Sequence, residues 1–122
     1  MPYMPSKSSN PRAYLFHIRD NIILAETFID GFDYERFRDN LLVFYAVTRA
    51  LEIISEASRR LPAEMKERHP EISWADVAGA GSIYRHDYED VRQNRVWVTV
   101  QKDLPRLRAV VEYELLRLDE LP

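Results

Sequence analysis

Cysteine is absent from the 122-residue chain, and glycine is scarce, with three residues in all. Without cysteine the protein can form neither a disulfide framework nor a thiolate metal site, and nothing in it requires an oxidising compartment. Few glycines leave few of the tight turns that a protein built of many short strands needs. These absences favour a helical protein of the cytoplasm.

Long apolar runs and a strong net charge are missing as well. No stretch approaches the roughly eighteen apolar residues of a membrane-spanning helix, and residues 1–10 carry prolines and serines instead of the apolar core of a signal peptide. The formal net charge is −3, so any RNA contact must come from locally clustered arginines. We therefore predict no membrane partner, a flexible N-terminal tail over residues 1–10 and a single domain over residues 11–122.

Apolar residues at helical spacing account for most of the chain. Asn10 and Pro11 form a typical helix start, with a side-chain acceptor followed by proline in the first turn, and the apolar face that follows extends to about Gly31. Residues 34–61 carry two apolar stripes, which predict one central helix with neighbours on both sides. The stripes consist of Phe37, Leu41 and Phe44, and of Val43, Val47, Ala50, Ile54, Ala57 and Leu61.

The second half of the chain is also divided into helices. Residues 63–69 predict a short helix between two prolines, and a third main helix begins at Trp74 with Ser73 as its N-cap. A last long helix follows Arg92, with Pro105 as the expected kink. The predicted fold class is all-α, an up-and-down bundle of four main helices plus a short extra helix.

The most unusual segment runs from Gly79 to Tyr88 and combines small residues with reactive side chains. The small residues at its start predict a surface that another backbone can approach closely. His86 can act as a general acid or base near neutral pH, and Asp87 or Asp90 could fix its tautomer. A purely structural interpretation stays open: His86 would cap a helix C-terminus and Tyr88 would bury its ring at the turn.

Several short motifs in the chain occur in the order and at the distances found in one known family. With them, the sequence resembles the HepT-like family of the HEPN superfamily over nearly its whole length after the tail. The motifs are Arg49-Ala-Leu-Glu-Ile-Ile-Ser-Glu-Ala, Trp74, Arg85-His86-Asp87-Tyr88, Val96-Trp97 and Asp103-Leu104-Pro105.

The resemblance implies a homodimeric toxin that cuts RNA without a metal. His86 would handle the proton of the 2′-hydroxyl or of the leaving oxygen, and a nearby arginine would stabilise the phosphorane. The family's partner is a minimal nucleotidyltransferase antitoxin, which would adenylylate Tyr88. The sequence departs from the family pattern where an arginine usually precedes the histidine, because residues 79–81 are Gly-Ala-Gly. Arg85 replaces that charge only if the chain bends or a second subunit contributes.

Arg49, Glu52 and Glu56 form a second group at helical spacing. As a solvated ladder of ion pairs they contribute only a few tenths of a kcal/mol per pair. Alternatively, they face the site and hold His86 or an RNA phosphate. Both interpretations stay open at this stage.

Other kinds of site find no support in the sequence. His17 and His69 lack acidic partners at metal-ligand spacing, and no nucleotide-binding or nucleophile-elbow motif occurs, so we predict no metal and no organic cofactor. The aromatic residues at helical spacing are predicted to be core; they are Tyr14, Phe28, Phe37 and Phe44. Two alternatives to the enzyme remain: an inactive binding module of the same fold that acts through the nucleotidyltransferase, and a helical dimer with a scaffolding role.

Overall fold

The structure is a computed structural model that describes residues 10–83 and 89–121. Within these ranges the chain forms helices and no strands. The helices are α1 (Pro11–Phe28), α2 (Tyr34–Arg38), α3 (Leu41–Arg59), α4 (Ala63–Glu67), α5 (Trp74–Ile83), α6 (Glu89–Val98) and α7 (Leu104–Glu120), with a π-helical turn at Thr99–Asp103 between α6 and α7. The prediction of an all-α bundle is confirmed, with α1, α3, α5 and the α6–α7 segment as its main helices.

The predicted helix starts agree with the structure where a polar cap is present. The side chain of Asn10 accepts a hydrogen bond from the backbone N–H of Arg12 at 2.9 Å, and Pro11 lies in the first turn of α1. α5 begins at Trp74 as predicted, with Ser73 donating a hydrogen bond to the carboxylate of Asp76 at 2.7 Å. The start of α1 is therefore fixed by a side-chain cap that the sequence displays directly, whereas the contact of Ser73 with Asp76 joins two side chains at the start of α5.

The prediction of one continuous helix over residues 34–61 is wrong. The chain breaks at Asp39 and Asn40, where Asn40 is extended and its side chain accepts a hydrogen bond from the backbone N–H of Val43 at 3.0 Å. Asn40 thus caps a new helix, and the break turns Phe37 inwards beside Phe44. The same break leaves Leu41 exposed, although its spacing placed it on an apolar stripe.

The core lies at the contacts among α1, α3, α5 and α7. α3 packs on α1 and α5, and α7 packs on α1. The buried side chains form one cluster that includes Leu15, Ile18, Ile22, Phe37, Val47, Leu51, Ile54, Val96, Leu107 and Val111. The predicted core aromatics Tyr14, Phe37 and Phe44 are buried, and Phe28 packs against this cluster.

The backbone irregularity near Pro105 precedes that residue. Residues Thr99–Asp103 form the π-helical turn, and Pro105 lies in the first turn of α7. Proline has no N–H and its ring displaces the carbonyl four residues earlier, so the wider turn accommodates it without ending the helix. The sequence therefore predicted a distortion here but not its type.

Candidate active site

The residues proposed for catalysis follow directly on α5. α5 ends at Ile83 and α6 begins at Glu89. Arg85, His86, Asp87 and Tyr88 lie outside the described residues, so their roles stay predictions. The described helices α5 and α6 fix the two ends of this segment.

Side chains of α3 hold α5 in place. The buried Ser55 hydroxyl donates a hydrogen bond to the carbonyl oxygen of Val77 at 2.7 Å, and the guanidinium of Arg59 donates to the carbonyl oxygen of Ala78 at 2.5 Å. A carbonyl inside a helix is already occupied by the N–H four residues on, so these two use their second lone pairs. Together these two hydrogen bonds fix the rotation of α5 about its axis and its position along α3.

Two small residues of α5 have different surroundings, since Ala80 packs against the core whereas Gly79 has open space beside it. A Cβ atom added at Gly79 would meet no heavy atom within 4 Å. Within the described residues no backbone packs closely on Gly79, while the approach of another backbone to residues 79–82, including one from a second subunit, stays a prediction. A glycine inside a helix that faces open space lowers the stability of the helix without a packing gain.

α6 is anchored by α2 and by a group of aromatic rings. The buried amide of Gln93 donates a hydrogen bond to the carbonyl oxygen of Arg38 at 3.0 Å, which satisfies a group at the end of α2. The ring of Trp97 lies 5.4 Å from that of Phe37 and 6.1 Å from that of Tyr34, measured between centroids. The short helix α2 therefore serves as a support for α6.

A cleft of about 460 Å³ separates α5 from α6 and α7. Its deeper lining is apolar and includes Leu51, Ile54, Ile72, Leu104 and Leu107. Its exposed lining is charged and includes Glu71, Asp76, Arg95, Asp103 and Arg106. The negative charges of the three carboxylates and the positive charges of the two guanidinium groups nearly cancel, so this lining alone does not form a site for a phosphate.

The second predicted group has the geometry of an ion-pair ladder. Arg49 and Glu52 lie 3.3 Å apart between Nη1 and Oε2, and Glu56 lies 3.7 Å from the guanidinium of Arg60. All four side chains are about one third or more exposed, so solvent screens both pairs. The solvated interpretation is therefore sufficient for the contacts seen, while contact of this group with His86 or with RNA stays a prediction.

A buried carboxylate that the sequence did not reveal contacts the connection between α4 and α5. Glu114 of α7 is fully buried, and its Oε1 accepts a hydrogen bond from Arg68 at 2.7 Å. Its Oε2 lies 2.6 Å from Nε2 of His69, whose Nδ1 lies 3.2 Å from Oε1 of Glu71. His69 and Glu114 are 45 positions apart in the sequence, which explains why spacing gave no sign of this contact.

Hydrogen bonds decide the ionisation of the buried carboxylate. Burial by itself raises the pKa of Glu114, but hydrogen bonds from Arg68 and His69 outweigh it and the net pKa is lowered. The same contact raises the pKa of Arg68. Glu114 is therefore an ionised carboxylate inside the protein, neutralised by its neighbours.

Residues 10–83 and 89–121 contain neither a metal-ligand group nor a membrane-spanning helix. No group of three or more histidine, cysteine or acidic side chains with the spacing of a metal site occurs in this part of the chain. In the same part, no helix is long and apolar enough to cross a membrane.

The sequence is similar to those of proteins described as ribonucleases. A family model described as "Ribonuclease HepT-like" matches residues 18–114. The chain is 38 % identical to a "Probable ribonuclease HepT" of Thermococcus cleftensis over 104 residues, which are 85 % of this chain and 93 % of that protein. It is 34 % identical to a "Putative RNase" of Methanocaldococcus jannaschii over 83 % of this chain and 93 % of that protein. No solved structure matches.

Proposed function

Since the chain belongs to the HepT-like ribonuclease family, we propose that it is a toxin that cuts RNA by a metal-independent mechanism with His86 as general acid or base. The observation that carries the proposal is the extent of the family match, which includes the segment from Arg85 to Tyr88. The expected domain, residues 11–122, and a cytoplasmic location are parts of the same proposal.

The proposed reaction is attack of a ribose 2′-oxygen on the adjacent phosphorus. His86 removes the 2′-hydroxyl proton or delivers a proton to the 5′-oxygen as the P–O bond breaks. The products are a 2′,3′-cyclic phosphate and a 5′-hydroxyl. The phosphorane carries extra negative charge, so a guanidinium close to it lowers the barrier.

The source of that guanidinium is the point at which this chain differs from its family. Glycine and alanine occupy residues 79–81, where the family motif has its arginine. We assign the role to Arg85, with Arg49 as a second candidate. A second subunit can supply either of them.

Exposed apolar side chains at the start of α3 support the homodimer. Leu41, Leu42 and Tyr45 are 53 %, 81 % and 64 % exposed. Leu41, Tyr45 and Arg49 are spaced by four residues, so they share one side of the helix. A second copy that covers this apolar surface would bring Arg49 into the dimer interface.

The partner expected for a toxin of this kind is a minimal nucleotidyltransferase antitoxin. It would transfer an adenylyl group from a nucleoside triphosphate to the phenol oxygen of Tyr88, with release of pyrophosphate. A modified Tyr88 beside His86 would block access of RNA to the site. Intact-mass measurement after co-expression with the adjacent gene product tests this step, because the adenylyl increment should vanish in Tyr88→Phe.

Cleavage of RNA by the purified protein in excess chelator tests the activity itself. We expect cleavage by the unmodified protein and by His17→Ala, a control on α1, and loss of cleavage in His86→Ala. Equal cleavage by the wild type and His86→Ala, or none by any of the three, would remove the catalytic proposal.

The second candidate is a binding module without catalysis, which the missing motif arginine favours. It acts through its complex with the nucleotidyltransferase. Adenylylation of Tyr88 in a protein that never cleaves RNA would support this alternative over the first.

A further inference from the structure

Arg59, in the last turn of α3, is an exposed cation that lies against α5. Its Nη1 donates a hydrogen bond to the carbonyl oxygen of Ala78 at 2.5 Å. A carbonyl inside an α-helix points along the axis towards the residue four positions on, so the guanidinium lies beside the turn of residues 79–82. The charge is thus placed next to the part of α5 that leads to the proposed site.

The charge of Arg59 is not neutralised by a carboxylate in the part of the chain that the structure describes. The two carboxylates of α3 each hold another arginine, since Glu52 pairs with Arg49 and Glu56 pairs with Arg60. No described carboxylate oxygen lies within 4.0 Å of the Arg59 guanidinium. Its positive charge therefore remains available to an anion from outside the protein.

The hydrogen bond to Ala78 leaves most of the guanidinium unused. A guanidinium has five N–H donors in one plane, and this contact takes one of them. The others match the spacing of two oxygens of a phosphate. Because Ala78 already orients the long side chain, less conformational entropy is lost when a phosphate binds. Arg59 thus has the geometry of a prepared phosphate-binding group.

The surface of α5 beyond Ala78 has room for a phosphate and no charge that would repel it. A Cβ atom added at Gly79 would meet no heavy atom within 4 Å. The one charged residue of α5 is Asp76 in its first turn, and its carboxylate accepts a hydrogen bond from Ser73 at 2.7 Å. Residues 77–83 contain no acidic residue, so a phosphate near this turn meets no like charge from α5 itself.

We propose that Arg59 binds a phosphodiester group of the RNA and thereby positions the strand along α5. The identity of the ligand rests on the proposed function, because an RNA substrate is what brings a phosphate to this helix. Arg85 keeps its assigned role at the phosphorane, and Arg59 holds a different phosphate of the same strand.

Fluorescence anisotropy of a labelled single-stranded RNA with 2′-O-methyl riboses measures this contact. The methyl groups block the 2′-oxygen, so the full-length protein can bind this RNA without cutting it. For Arg59→Gln we expect Kd to rise about five- to tenfold at about 0.1 M salt, and the slope of log Kd against log salt concentration to fall by about 0.7, the value for one phosphate contact to a single strand. An unchanged slope in Arg59→Gln, or no binding of this RNA by the wild type, would overturn the proposal.

Three variants separate the charge of Arg59 from its hydrogen bond to α5. Arg59→Lys keeps the charge and should keep the salt slope. Ser55→Ala removes the other hydrogen bond from α3 to α5 without a change of charge, and should keep the slope as well. Arg19→Gln removes an arginine of α1 and should leave both the slope and Kd as in the wild type. A slope that falls equally in Arg59→Gln and Arg19→Gln would show a general effect of net charge and contradict the proposal.

Cleavage of ordinary RNA by the same proteins distinguishes this inference from the proposed function. A wild type that shows the slope due to Arg59 but cuts no RNA keeps the phosphate contact and loses the ribonuclease assignment. A wild type that cuts RNA, with Arg59→Gln equal to it in cleavage and in salt slope, keeps the ribonuclease assignment and loses the phosphate contact.

Discussion

Replacement of Glu114 by glutamine tests the buried carboxylate directly. The carboxylate is fully buried and is neutralised by Arg68 and His69. Removing one member of a buried ion pair costs about 3–5 kcal/mol when the remaining charge stays buried. The Arg68 side chain is 34 % exposed and can regain water, so we expect Glu114→Gln to lower the free energy of unfolding by about 2–4 kcal/mol at pH 7.

The pH dependence of that loss has a definite sign. The folded-state pKa of Glu114 is lowered, so its stabilising contribution is fully present above the unfolded-state pKa of about 4.3 and declines as the pH falls through the folded-state pKa. The difference between wild type and Glu114→Gln should therefore be constant from about pH 7 to pH 5 and shrink at more acidic pH.

Urea denaturation at several pH values measures both quantities. Glu112→Gln is the matched control, because Glu112 pairs with Arg108 on the exposed side of the same helix and should change stability by less than about 1 kcal/mol. A Glu114→Gln loss below about 0.5 kcal/mol at pH 7, or a loss that persists undiminished at about pH 3, would refute the reasoning.

Three further changes test packing and assembly. Gly79→Ala should raise the free energy of unfolding by about 0.5–1 kcal/mol in thermal denaturation, since the added methyl group meets open space in a helix, and a decrease would contradict this. Phe37→Ala should lower it by about 3–5 kcal/mol, because the fully buried ring joins α2 to α3 and α6, and a loss under about 1 kcal/mol would show that α2 is dispensable. Leu42→Asp should shift the protein from dimer to monomer in light scattering, whereas Leu116→Asp, the same substitution at an exposed leucine on α7, should not. Identical molar masses for the two variants would contradict the proposed dimer surface.

Sequence patterns predicted the helices well where local chemistry sets their limits. Asn10, Pro11 and Trp74 mark helix starts in the structure as they do in the sequence. The break at Asn40 was missed because the apolar stripes continue across it, and a stripe records spacing but not a change in the direction of the helix. The polar cap that makes the break, an asparagine three residues before Val43, was present in the sequence and could have indicated it.

In the candidate site, too, the sequence revealed what depends on neighbouring residues but not what depends on the packing of helices. The reactive residues His86 and Tyr88 could be proposed from their chemistry and from the family resemblance, because they are neighbours in the sequence. The contacts of Ser55 with Val77 and of His69 with Glu114 join residues 22 and 45 positions apart. Contacts of this kind depend on how helices pack against each other, which one sequence does not specify by spacing.

The chemical nature of the cut RNA ends tests the central proposal most directly. The proposed mechanism predicts fragments with a 2′,3′-cyclic phosphate and a 5′-hydroxyl, formed in excess chelator by the wild type and not by His86→Ala. Mass spectrometry of the fragments distinguishes these ends from the alternatives. Fragments with a 3′-hydroxyl and a 5′-phosphate, or cyclic phosphate ends formed equally by His86→Ala, would contradict the assignment of His86 as the acid or base.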